Sequence, residues 1–255
     1  MVRRVSKRKM PEREEYQLKE LEKIEGGVFS KTTMIYLSKL FNAKIVKKIE
    51  FPIARGKEAD IYLADSNNSA FGKFVVLKFY RVETSSFKNM VDYIVGDERF
   101  SVIKKSKRYI VNTWCKKEYG NLKIAEAAGV LAPKPYMYSG TILSMEFIGD
   151  DDGRPAPMMN NALLDNPSEM LWKIIESMKR LYAHRLVHGD MSEYNVLIKD
   201  QKPYIIDFGQ AVTIKHPKAA EFLYRDVWNI TNYFNKHYGM KEDFESVMKL
   251  ITGEQ

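Results

Sequence analysis

The sequence predicts an α+β chain in two lobes, strand-rich in its first half and mainly helical in its second. Three observations predict this. Segments 47–54, 59–65 and 73–80 are rich in Ile, Val, Phe and Tyr and are separated by Arg55-Gly56 and by Asp65-Ser66-Asn67-Asn68, the pattern of an antiparallel meander. Later in the chain, Leu171, Ile174, Ile175, Met178, Leu181 and Tyr182 form one apolar stripe at helical spacing. Between the two textures lies Asp150-Asp151-Asp152-Gly153-Arg154-Pro155, a polar stretch that marks the lobe boundary.

The elements follow in order. Residues 1–45 read as a basic arm and a helix. Ser30 caps that helix, which runs to about Leu40 with Met34, Leu37 and Phe41 at helical spacing. The first lobe, residues 46–149, opens with the meander. Residues 82–111 carry no sustained apolar period and are expected to be a long, flexible insertion. Helical periodicity returns from Val111 to about Ala128, stopped by Gly129 with Pro133 and Pro135 beyond. Segments 136–139 and 141–148 form a hairpin about Gly140. In the second lobe, residues 150–255, Asn166-Pro167 supplies a cap and a first-turn proline. Val196-Leu197-Ile198 and Tyr204-Ile205-Ile206 make a small hairpin, and helices at about 219–236 and 242–251 finish the chain.

Composition excludes several classes. A chain of 255 residues with 45% hydrophobic and 12% aromatic content can bury a core and is not a disordered segment. Its longest apolar runs, such as Phe74-Val75-Val76-Leu77, fall far short of the roughly 18 residues a membrane span needs. No apolar stretch follows the basic N-terminus, so no secretory signal is expected. The lone Cys115 can build neither an internal disulfide nor a cysteine-based zinc site. A soluble, cytoplasmic protein without a membrane partner is expected. The net charge of +8 is clustered in Arg3, Arg4, Lys7, Arg8 and Lys9, and again in Lys104, Lys105, Lys107 and Arg108. Such clusters suit a phosphate-rich partner and equally suit a solvated surface.

The densest polar constellation is His188-Gly189-Asp190, with Asn195 five residues after the Asp, followed by Asp207-Phe208-Gly209. Both loops border apolar strand segments, which sets their carboxylates at the mouth of a hairpin. Asp190 is placed to accept a hydroxyl proton, and Asn195 with Asp207 offers the hard oxygen ligands that Mg²⁺ prefers. Lys78 closes the strand Val75-Val76-Leu77 and needs a polar destination. Glu118 supplies one, because Trp114, Glu118 and Leu122 share an apolar helix stripe. A Lys–Glu pair that orients the lysine towards nucleotide phosphates explains both charges. The loop Ala54-Arg55-Gly56-Lys57-Glu58-Ala59 lies where a phosphate-covering loop belongs, although alone it is only a tight hairpin with a charged tip.

Taken together, Gly56-Lys57-Glu58-Ala59-Asp60-Ile61-Tyr62, Lys78, Glu118, Met145-Glu146-Phe147-Ile148, the segment from His188 to Asn195 (His-Gly-Asp-Met-Ser-Glu-Tyr-Asn) and Ile206-Asp207-Phe208-Gly209-Gln210 resemble the RIO family of atypical protein kinases. The first subfamily in its short archaeal form is the nearest pattern, from about residue 25 to the end. The resemblance implies a two-lobed kinase-like fold, with an antiparallel sheet and one helix in the N-lobe and a reduced, mainly helical C-lobe. It implies an ATP-dependent serine/threonine kinase and ATPase using Mg²⁺, with Mn²⁺ able to stand in. Asp190 would be the catalytic base, and Asn195 and Asp207 the metal ligands. Lys78 would hold the α/β-phosphates with Glu118 fixing it, and Lys57 and Glu58 would sit in the loop over them. Backbone groups of Glu146 and Ile148 would grip the adenine edge beside Met145. The resemblance further implies a phospho-aspartate at Asp207 and a role in maturing the small ribosomal subunit, with pre-ribosomal RNA and protein as partners.

Departures from ordinary protein kinases carry their own expectations. Gly189 stands where those enzymes have an arginine, and no Ala-Pro-Glu follows Asp207. The chain runs through Lys215-His216-Pro217 straight into a helix holding Arg225-Asp226, which suggests no phosphorylated activation loop, and Asp226 is expected to brace the 188–191 backbone. Thr84, Ser85 and Ser86 are candidate autophosphorylation sites in the insertion. Two other readings stay open. A small-molecule phosphotransferase of the aminoglycoside or choline kinase type shares the His-Gly-Asp pattern but usually has a second His where Ser192 stands. A non-catalytic, nucleotide-gated assembly factor is the reading from a different class.

Overall fold

The computed structural model describes residues 30–66, 68–82, 87–100 and 106–253. Helix α1 (Lys31–Asn42) begins where the Ser30 hydroxyl accepts the Thr33 amide at 3.2 Å. Strands β1 (Lys48–Arg55), β2 (Ala59–Asp65) and β3 (Phe74–Tyr80) form the meander. Helices α2 (Phe87–Ile94) and α3 (Lys107–Ala127) follow, then strands β4 (Pro135–Ser139) and β5 (Ile142–Glu146). All five strands join one antiparallel sheet in the order β1-β2-β3-β5-β4. Side chains alternate across a strand. On β3, Val75, Leu77 and Phe79 therefore enter the core under α1, with Met34, Leu37 and Leu40. Val76 and Tyr80 enter the other core, built on α3, and the same alternation turns Lys78 towards that side.

The second lobe starts after a tight turn in which the Asp150 carboxylate accepts the amides of Asp152 and Arg154. Helix α4 (Pro167–Ala183) is capped by Asn166, whose side-chain oxygen accepts the Glu169 amide at 3.1 Å. Two short antiparallel pairs follow. Strand β6 (Leu186–Val187) pairs with β9 (Val212–Thr213), and β7 (Val196–Lys199) pairs with β8 (Lys202–Ile205). Helices α5 (Ala219–Tyr238) and α6 (Phe244–Thr252) close the lobe against α4. The polar loops between β6 and β7 and between β8 and β9 thereby lie side by side, facing the sheet.

The stretch expected to be a long, flexible insertion, residues 82–111, carries helix among its described residues: α2 and the first turn of α3, which starts four residues before Val111. Met90 and Ile94 of α2 are fully buried. Tyr93 stacks on Phe222 with ring centroids 4.9 Å apart, His216 Nε2 lies 2.9 Å from the Val95 carbonyl, and Lys215 pairs with Glu98 at 2.7 Å. The helix is eight residues long, too short for a sustained period in the sequence, and it holds its form through contacts with the second lobe. Thr84, Ser85, Ser86, Lys104, Lys105 and the arm from Arg3 to Lys9 lie outside the described residues.

Candidate active site

Helix α3 presents one face to the cleft. Trp114, Lys117, Glu118 and Asn121 stand at i, i+3, i+4 and i+7 and are all buried. Across the cleft, Lys78 Nζ donates to Glu118 Oε1 at 2.9 Å and to Asp207 Oδ1 at 3.0 Å. Burial pushes the Lys78 ammonium towards neutrality, but the two carboxylates outweigh it and hold its pKa above the ordinary value. Two segments far apart in sequence thus share one lysine.

The loop between β6 and β7 carries Asp190 and Asn195. Asn195 Nδ2 donates to the Asp190 carbonyl at 2.8 Å and to its carboxylate at 3.2 Å, and Gln210 Nε2 reaches the same carboxylate oxygen at 3.1 Å. Burial, reinforced by the charge of Asp207, raises the Asp190 pKa to about 6, against the opposing pull of Arg225 and Asn195. The loop backbone is held from below. Asp226 of α5 accepts the Gly189 and Met191 amides at 2.7 and 2.8 Å, Asn229 donates to the Met191 carbonyl, and Arg225 donates to the Gly189 carbonyl. His188 is buried, with Nε2 3.1 Å from the Ile206 carbonyl, so the ring ties this loop to the one carrying Asp207.

Asp207 has φ +62°, a left-handed conformation that is strained for a residue other than glycine. Its side chain is half exposed at the mouth of the cleft. Desolvation by the cleft walls opposes its ionisation, but the Lys78 ammonium overrides this and keeps the carboxyl below its ordinary range. Phe208 turns into the core against His188. Gly209 is required by proximity, because a Cβ there would lie 2.9 Å from the Trp114 indole nitrogen. From Gly209 the chain passes through buried Ala211, Val212 and Thr213 to the turn before α5, with no long loop between.

The remaining residues singled out by sequence lie on β5, on the segment after it and in the β1–β2 turn. Met145 sits opposite Val76 in the β3–β5 register, both on the face opposite α1. Glu146 ends β5 with its amide donated to the Lys134 carbonyl at 2.8 Å. The Ile148 carbonyl accepts from Ala156, while its amide donates to no group among the described residues. Lys57 is exposed at the tip between β1 and β2. Glu58 is half buried, close enough to Asp207 and Asp190 that their charges add to burial in raising its pKa.

The donors suit a hard divalent cation. With Asn195 Nδ2 committed to Asp190, its Oδ1 accepts no hydrogen bond among the described residues, and Asp207 keeps an oxygen beyond the one facing Lys78. Two such protein oxygens suit Mg²⁺, which takes one or two and completes its shell with water and phosphate.

Sequence reasoning missed three residues here: Gln210 on the Asp190 carboxylate, and Lys117 and Asn121 on the carbonyls after Asp207. A faint signal existed for the last two, since both share the helix stripe of Trp114 and Glu118.

A RIO domain model matches residues 60–247. The RIO-type serine/threonine-protein kinase Rio1 of Haloferax volcanii is 38% identical over 99% of this chain and 87% of its own length. Its namesake from Thermoplasma acidophilum is 43% identical over 70% of this chain and 94% of its own. The human serine/threonine-protein kinase RIO1 is 36% identical over 82% of this chain but only 37% of its own length. Among solved structures, the Rio2 kinase–ADP/Mg²⁺–phosphoaspartate complex from Chaetomium thermophilum superposes with a TM-score of 0.67 at 24% identity, over 88% of this chain and 67% of that one, a likeness of fold. With a RIO domain model spanning most of its length and relatives of that family at 38% and 43% identity, this chain belongs to the RIO domain family.

Proposed function

We propose that this chain is an atypical serine/threonine protein kinase that uses Mg²⁺–ATP, with ATP hydrolysis as an accompanying output. The observation that carries the reading is the convergence of Lys78, Glu118, Asp190, Asn195 and Asp207, drawn from separate segments into one cleft. Kinase activity is what the Rio1 relatives are named for, and ADP with Mg²⁺ is what the Rio2 neighbour holds.

In this reading the adenine lies against Met145 and takes the unbonded Ile148 amide and the Glu146 backbone at its edge. Lys78, fixed by Glu118, meets the α/β-phosphates. Asn195 and Asp207 would hold Mg²⁺, which when bound neutralises charge on the phosphates. Lys57 adds a cation at the loop tip. Asp190, its carboxylate steadied by Asn195 and Gln210, takes the proton of the attacking hydroxyl, and its raised pKa makes it a better base than an ordinary aspartate. In the hydrolytic branch the Asp207 carboxylate attacks the γ-phosphorus, ADP leaves, and water then cleaves the acyl phosphate. The phosphoaspartate of the Rio2 neighbour supports that branch by analogy of fold.

The reading extends to a cytoplasmic role in small ribosomal subunit maturation, supported by the family resemblance and by the net charge of +8. Among the described residues no helix is long and apolar enough to cross a membrane. The test is phosphate release and protein labelling from γ-labelled ATP with Mg²⁺. Turnover lost in both Asp190→Ala and Asp207→Ala, with hydroxylamine-labile label on the wild type, is the expected result. Label on serine or threonine alone removes the hydrolytic branch. Nucleotide binding without turnover refutes the enzyme reading and leaves a nucleotide-gated assembly factor.

A further inference from the structure

Lys117 is fully buried, yet among the described residues it has no carboxylate within ion-pair distance. The acid whose charge reaches it, Asp97, is taken by Arg99, whose guanidinium grips both carboxylate oxygens at 2.8 and 2.6 Å. The Lys117 amine instead donates to two main-chain carbonyls, Gly209 at 2.9 Å and Ala211, and lies over the Trp114 ring. One turn on, Asn121 Nδ2 donates to the Phe208 carbonyl at 2.7 Å and to Ala211 at 2.8 Å. A lysine withdrawn from water without an acid partner is a costly way to fill space that leucine or methionine would fill better. Its contacts show what it does: it fixes the backbone that follows Asp207.

That backbone needs fixing. Asp207 sits at φ +62°, a conformation that persists only where the surroundings over-determine it. The carbonyls of residues 208, 209 and 211 are all held by α3, and Trp114 closes over Gly209, so the turn cannot relax without breaking contacts to that helix. The same turn carries Gln210, which reaches the Asp190 carboxylate. Two groups of the cleft, one on each side of Gly209, thus take their places from one helix face.

We infer that Lys117 is a positioning residue: with Asn121 it clamps the 208–211 backbone to α3, holding Asp207 where it meets the nucleotide's metal ion and Gln210 where it meets Asp190. The inference rests on the kinase reading above and adds a residue that never touches nucleotide. It also implies that α3 and the Asp207 turn move as one body. A displacement of α3 would withdraw Lys78's partner Glu118 and the Asp207 turn together.

The test is Lys117→Met, which keeps length and apolar bulk but removes the donor. ADP affinity is measured by calorimetry with and without Mg²⁺, beside kcat for phosphoryl transfer and a thermal melt to establish folding. The expected result is a folded variant whose Mg²⁺-dependent gain in ADP affinity shrinks about 10- to 100-fold, the range found when groups behind a metal ligand are removed, with kcat reduced alongside. A variant that keeps the full Mg²⁺ gain and wild-type kcat overturns the inference. Should Lys117→Met fail to fold, Lys117→Gln, with a donor on a shorter stem, decides by the same ratio. If wild-type protein itself binds no ADP, or gains nothing from Mg²⁺, the kinase reading falls and this inference with it. A wild-type gain matched by the variant removes the inference alone.

Discussion

Lys78 Nζ stands between Glu118 Oε1 at 2.9 Å and Asp207 Oδ1 at 3.0 Å, a cation shared by a helix of one lobe and a loop of the other. The two partners differ in kind. Glu118 is 1% exposed and has no other cation within ion-pair distance among the described residues, whereas Asp207 is open to solvent at the cleft mouth. Removing the lysine therefore harms the first far more. Lys78→Met is expected to destabilise the fold by about 3–5 kcal/mol, the range for leaving a buried charge uncompensated. Lys78→Met combined with Glu118→Leu is expected to recover most of that loss while remaining inactive. Urea unfolding of the two singles and the double measures it; a double mutant no more stable than Lys78→Met refutes the account.

Asp190 and Gln210 separate chemistry from support. Asp190→Asn keeps the shape and the Gln210 contact but removes the base, so kcat is expected to fall about 10²- to 10⁴-fold. Gln210→Ala leaves the carboxylate in place and loses one bond of 3.1 Å, so a smaller fall is expected. Steady-state rates for both, with ADP affinity as a control, check the order. Equal losses would mean that orientation, not proton acceptance, dominates at this position.

Much of this was readable in the sequence because the deciding forces are local. The meander falls within a residue of its expected bounds, since alternation and turn residues act over a few positions. His188, Asp190, Asn195 and Asp207 were legible as a set because they lie close together in the chain, in two loops that border short apolar segments. What was hidden depends on the far side of the cleft. Lys117 and Asn121 share the stripe of Trp114 and Glu118, but their partners are carbonyls some 90 residues away that only the fold brings to them. The positive φ of Asp207 leaves no trace in composition, and α2 exists through burial of Met90 and Ile94 rather than through its own periodicity.

The junction of α2 with the second lobe is tight enough to test by one methyl group. Gly96 has φ +92°, and a Cβ there would lie 2.7 Å from Pro217 Cδ. Gly96→Ala must therefore strain the backbone and push the loop off Pro217, straining the His216–Val95 contact beside it. A loss of about 1–3 kcal/mol is expected from the backbone alone, with more from the clash. Gly253→Ala, at φ +75° with nothing within 4 Å, carries the backbone strain without the clash. Urea unfolding should show Gly96→Ala as the more damaging of the two, and limited proteolysis should cut within α2 and the Gly96 turn in that variant only. Equal stabilities would place the α2 loop clear of Pro217 in solution.

His188 gives a pH signature to folding. Burial is the main cause of its depressed pKa, about 4 against an ordinary 6.5, and the Ile206 carbonyl only partly offsets it. The neutral ring can donate through Nε2 to that carbonyl, while Nδ1 has no partner among the described residues to help hold a proton. The sign follows from which state binds the proton more readily. Between pH 6.5 and pH 4 the unfolded chain takes up a proton that the folded chain refuses, so stability is full above pH 6.5 and is lost as pH falls through that window. The shift corresponds to about 3 kcal/mol between pH 7 and pH 4. His188→Gln keeps an amide donor for Ile206 but cannot titrate. Carboxylates common to both proteins cancel in the difference of their unfolding free energies, which should narrow by about 3 kcal/mol as pH drops from 7 to 4. Parallel stability curves for wild type and His188→Gln across that window would show that the buried ring is hydrated or protonated in the folded protein, and would remove His188 as the neutral tie between the Asp190 and Asp207 loops.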